Sequence, residues 1–145
     1  MSEVVNTPYP QCLSMLFAEK ILREPNTNLQ SLISLFDRII VSHVPAQYSF
    51  CIYLLVVNVQ GVDIPLDVRI VGPSGKINPV GKFDLTPKPP SKNAEVILNF
   101  QSAIFEAEGT YTIEAYLLEQ RIAARELTIE VATIPIPPEN VAEAQ

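Results

Sequence analysis

The chain holds a single histidine, His43. A histidine-based nucleophilic site needs a nucleophile and an orienting acid beside the ring in space. Asp37 and Ser42 are near in sequence, but Ser42 is adjacent and would project from the opposite face of a strand. His43 therefore reads as a loop residue ahead of Val44-Pro45. Cys12 and Cys51 are the only cysteines, and neither C-x-x-C nor H-x-x-x-H spacing joins them to His43 as a zinc site. They read as two buried thiols acting as small hydrophobes, with a disulfide between them as the lesser alternative. Asp63 and Asp67 are four apart and share the polar face of a strand, as do Glu114, Glu126 and Glu130 near the end of the chain. Such carboxylates read as solvated cross-strand charges rather than as an acid–base pair. No D-x-D-x-D-G calcium loop is present, and residues 72–75 make too short a glycine turn to cradle phosphate. No cofactor and no metal are expected, and the chain is not expected to be an enzyme.

Other residues suit contact better than chemistry. Asp37-Arg38 is a charged pair inside an otherwise apolar segment. It reads as an ion pair or as a polar contact point. Pro87-Lys88-Pro89-Pro90 and Pro135-Ile136-Pro137-Pro138 are stiff enough to act as spacers or to present proline surfaces. Tyr116 falls on the polar side of its segment, where an aromatic ring marks a contact surface. Asp37, Arg38, Pro89, Pro90 and Tyr116 are thus the candidate partner contacts.

Charge narrows the partners. Ten Lys and Arg against sixteen Asp and Glu leave a net charge of −6, and the cations are scattered singly. Nucleic acid and anionic membranes need clustered cations, so both are disfavoured. From Glu106 onward there are eight acids and two bases, an acidic bias that suits a solvated face. The first eleven residues lack a basic and an apolar stretch, so no signal peptide is read, and a cytoplasmic location is the default expectation. At 145 residues, 48% of them apolar, the chain is long enough to bury one core unaided.

The elements that must hold these residues are mostly strands. Residues 12–22 alternate poorly. Residues 29–41 carry Leu29, Leu32, Ile33, Phe36, Ile39 and Ile40 at a helical period. Residues 50–59 are apolar on both faces, as a covered central strand would be. Ile64, Leu66, Val68 and Ile70 alternate with polar positions, and Pro65 points to an edge or a bulge there. Residues 72–75 form a tight turn. Residues 80–85 and 96–100 give two more strands. Tyr111, Ile113, Ala115 and Leu117, then Leu127, Ile129 and Val131, predict a closing hairpin that turns at Glu119-Gln120. The division expected is an irregular lead-in over 1–11, a domain over 12–132 and a mobile Pro-rich tail over 133–145.

The stretch Glu108-Gly109-Thr110-Tyr111-Thr112-Ile113 resembles the corner entering the penultimate strand of immunoglobulin-like sandwiches, where the tyrosine hydroxyl bonds back to the backbone. Ile113 stands where antibody domains have cysteine, and the chain has no Trp, so a true antibody-type domain is excluded. Residues 31–39 (Ser-Leu-Ile-Ser-Leu-Phe-Asp-Arg-Ile), residues 68–76 (Val-Arg-Ile-Val-Gly-Pro-Ser-Gly-Lys) and the closing hairpin together resemble a family of small uncharacterised bacterial β-sandwich proteins. That resemblance implies a strand over 29–41 despite the helical period. The fold expected is an all-β, two-sheet antiparallel immunoglobulin-like sandwich of seven to eight strands. The function expected is a non-enzymatic interaction or scaffold domain with a protein partner or with itself. A small-ligand or carbohydrate-binding sandwich is the alternative.

Overall fold

The computed structural model describes residues 9–133. Among these described residues there are nine strands: β1 Gln11–Arg23, β2 Gln30–Phe36, β3 Arg38–Val41, β4 Ala46–Val57, β5 Ile64–Val71, β6 Ile77–Leu85, β7 Ala94–Phe105, β8 Gly109–Leu117 and β9 Gln120–Val131. They form a four-stranded sheet in the order β2-β1-β4-β7 and a five-stranded sheet in the order β3-β9-β8-β5-β6. The fold is an all-β sandwich, as expected. The count rises to nine because residues 29–41 are two strands in different sheets.

The crossover at Asp37 explains the misleading period. Phe36 is opposite Phe17 in one sheet, and Ile39 is opposite Ile129 in the other. β2 half-buries Leu32 and Phe36 in one sheet and β3 buries Ile39 in the other, so one alternation cannot run through both. β3 also pairs with β9 in parallel, an exception to the antiparallel arrangement expected. The segment returns to the same sandwich by changing sheets, so it runs alongside β9 rather than back against it.

Alternation fills the space between the sheets. Phe17, Ile52, Leu54 and Val56 face Leu66, Val68, Ile113, Ala115, Leu127 and Ile129 across the core. Fully burying a side chain of this size is worth about 1.5–3 kcal/mol. Among the described residues no polar or charged residue is buried. Phe17, Phe36, Phe50 and Phe100 stack edge-on or tilted at one flank, with centroids 5.2–6.2 Å apart in the Phe17–Phe36, Phe36–Phe50, Phe17–Phe50 and Phe50–Phe100 pairs.

Three local expectations change. β5 is internal, between β6 and β8, so Pro65 does not mark an edge. It is tolerated because the ladder to β8 begins only at Leu66. Asp63 lies outside β5 with a φ of +52° and bonds Thr86, so it does not share a face with Asp67. The final turn is Leu118-Glu119, one position earlier than expected, because Leu117 pairs with Gln120. Gln11 is already in β1, and the tail from residue 134 lies outside the described residues, as do residues 1–8.

Candidate functional site

Asp37 and Arg38 serve the crossover. The Asp37 carbonyl accepts from the Thr128 amide at 3.0 Å, and Arg38 lies 3.6 Å from Glu130 with both side chains exposed. Asp37 and Arg38 are therefore not an ion pair with each other. Tyr116 is half-buried on the outer face of the five-stranded sheet. The Arg69 guanidinium covers its ring at 4.0 Å, and its hydroxyl donates to Glu114 at 3.1 Å. Glu114 also accepts from Arg121 at 3.1 Å. The ring is engaged from above and at its tip. Pro89 and Pro90 are exposed in the β6–β7 loop. These residues do not converge. Arg38 stands opposite Thr128 and Tyr116 opposite Arg121, positions about 23 Å apart along β9.

His43 is exposed beside Pro45, Gln47 and Ile104. Among the described residues no three His, Cys, Asp or Glu side chains gather as a metal site. Cys12 and Cys51 are free thiols on neighbouring strands, with Cys12 opposite Val56 and Cys51 opposite Ala18. Burial pushes the Cys12 thiol up, against backbone hydrogen bonds at Ser14 and Leu55 that pull it down. A raised thiol holds little thiolate and is a poor nucleophile.

A depression of about 490 Å³ lies where the end of the β1–β2 hairpin meets the β6–β7 loop. Glu95 is its anchor. It accepts from the Gln30 side-chain amide at 3.2 Å and from the Tyr53 hydroxyl. A flat four-stranded sheet would keep β2 and β7 about 14 Å apart, so the Gln30–Glu95 contact records a strongly coiled sheet. Burial first, then the hydrogen bond to Glu95 and its charge, push the Tyr53 phenol up to about 12. Nothing in the local pattern of residues 30 and 95 announced this pairing, because it joins the two outer strands of one sheet.

Backbone edges are the other place where a sandwich meets a partner, and among the described residues four strands have a free side. β3 is four residues long and carries Arg38. β6 carries Pro79, Lys82 and Asp84, and a register shift interrupts its ladder. β2 is kinked by Ser34 at a φ of +60°. β7 differs. From residue 94 to residue 100 its register against β4 is unbroken, with one charge (Glu95), no proline and no positive φ. Short length, charge, proline and kinks are the usual guards of an edge, and this segment has little of them.

The corner expected from the Gly-x-Tyr step is present. The Tyr111 hydroxyl donates to the Ala107 carbonyl at 2.6 Å and accepts from the Ala107 amide at 3.2 Å. Ile113 follows in the core, fully buried. Two packed sheets with this corner define the class: an immunoglobulin-like β-sandwich. The chain belongs to a family of unknown function, DUF6941, whose sequence model matches residues 13–130. No curated protein matches it by sequence. Solved structures of similar shape include an immunoglobulin-like protein of Pseudomonas aeruginosa, at 13% identity and a TM-score of 0.44, covering 86% of this chain and 99% of that one. The Pseudomonas fluorescens alkylpurine DNA glycosylase AlkC bound to DNA is similar at 9% identity and a TM-score of 0.48, over 84% of this chain and 30% of its own. A Listeria innocua β-glucosidase is similar at 8% identity and a TM-score of 0.49, over 86% of this chain and 17% of its own. The chain thus spans less than a third of either enzyme.

Proposed function

We propose that this chain is a non-catalytic interaction domain that takes an extended protein segment on the free side of β7. The observation that carries the reading is the contrast among the four edges. β3 is short, β6 carries proline, charges and a register shift, and β2 is kinked at Ser34; in β7 the register shift and the positive φ of Ser102 fall beyond residue 100, which leaves residues 94–100 regular and nearly neutral. An added strand there would gain main-chain hydrogen bonds along the edge and pockets for alternate side chains. Working in a reducing compartment such as the cytoplasm suits the two free thiols.

The test combines affinity capture from host extract with amide hydrogen exchange. The wild-type chain is expected to retain a partner that slows exchange over residues 94–100. Ile97→Lys adds the kind of charge that guards natural edges and is expected to lose that partner while keeping its circular dichroism spectrum. Capture by both forms alike, or protection confined to other strands, would overturn the reading.

A further inference from the structure

We infer that the segment received by β7 is β7 of a second copy of this chain, paired antiparallel about a two-fold axis through Ile97. The inference rests on the reading of β7 as a docking edge and names its occupant.

The register follows from the residues on the strand. A two-fold at Ile97 sets residue 95 opposite 99, 96 opposite 98 and 94 opposite 100. On the outer face Ile97 meets Ile97 of its mate, and Glu95 meets Asn99. That second pairing is complementary. The Cys51 thiol donates to the Asn99 side-chain oxygen at 2.9 Å, so the Asn99 amide nitrogen is turned away from Cys51 and carries two hydrogens to give. Glu95 accepts one hydrogen bond on each oxygen, from Gln30 and Tyr53, and a carboxylate has room for about four. On the inner face Phe100 meets Ala94, large against small, and Val96 meets Leu98. Phe100 and Val96 are only half-buried in one copy. Pairing would cover them. The single charge on the edge never faces itself, which matters in a chain of net charge −6.

Seven residues a side make a smaller contact than the roughly 20–30 of a standard interface, so the dimer should be concentration-dependent rather than obligate. Sedimentation equilibrium of the full chain from about 1 to about 500 μM is expected to show monomer passing to dimer. Asn99→Asp keeps the shape, removes the amide donor and sets a carboxylate opposite Glu95 at both ends of the pairing. It is expected to raise the dissociation constant by about tenfold. Adding Glu95→Gln to that variant restores an amide opposite a carboxylate and is expected to bring the dimer back. A chain monomeric throughout, or a dimer indifferent to Asn99→Asp, overturns the self-pairing. A monomeric chain that still captures a partner protecting residues 94–100 would sink only this inference. A monomeric chain that captures nothing there would sink the docking reading as well.

Discussion

Tyr48 and Tyr53 both give a hydrogen bond to a glutamate, Glu19 and Glu95 respectively. Burial first, then those acids, hold each phenol's proton to about pH 12 against an ordinary value of 10.0. An unfolded tyrosine releases its proton near 10, so between the two values the folded chain binds more protons than the unfolded one. Their contribution to stability is therefore complete below pH 10 and is lost as pH rises toward 12. Urea unfolding at pH 9 and pH 11 should show this fall, and Tyr53→Phe should make it smaller. An unchanged fall in the variant would mean that Tyr53 does not contribute. Neither contact was legible from the residues alone. Tyr53 sits in the run apolar on both faces and Tyr48 just ahead of it, and the acids they meet come from β1 and β7. Tyr111 was legible, because its bond closes over four residues and the Gly-x-Tyr spacing encodes it.

Local conformation and element pairing part company most clearly at the β8–β9 turn. The alternation of Tyr111 to Leu117 and of Leu127 to Val131 was enough to place both strands, since a one-residue slip would expose the buried set. The turn was misplaced by one residue because its two central positions, Leu118 and Glu119, have φ of +51° and +68° without the Asn or Gly that usually marks such a turn. The ladder on either side dictates the loop, and the loop residues carry strain as a result. Glu119→Gly removes the left-handed penalty where it arises. It should raise stability by about 1 kcal/mol in chemical denaturation, less the extra freedom glycine has when unfolded. A loss of stability would show that the Glu119 side chain contributes more than its backbone costs. Gly109 is the opposite case. At a φ of +135°, with Pro73 Cγ 2.8 Å from where a Cβ would sit, it is a position only glycine fills comfortably.

At the scale of the whole molecule the two sheets are joined by more than apolar packing. Arg125, opposite Ile113 on the inward side of β9, donates to the Met15 carbonyl on β1 at 3.0 Å and lies 5.6 Å over the Phe17 ring. It closes one flank of the sandwich with its stem against the core and its head at the rim. Arg125→Ala should cost about 1–3 kcal/mol by thermal or urea unfolding, because it strips a partly buried carbonyl of its donor. A change within experimental scatter would assign that flank to packing alone. The sequence by itself determined the class of fold, the closing hairpin, the tyrosine corner and the tight turn over residues 72–75. All of these are written in alternation or in spacings of a few residues, where the chain's own geometry limits the choices. Only the tertiary structure decided the sheet change at Asp37, the parallel β3–β9 pair, the internal place of β5 and the contact between Gln30 and Glu95. It also decided which edges are free among the described residues, and the docking proposed at residues 94–100 rests on that. Strand order is set by which faces bury together across the whole core, and no local period records it.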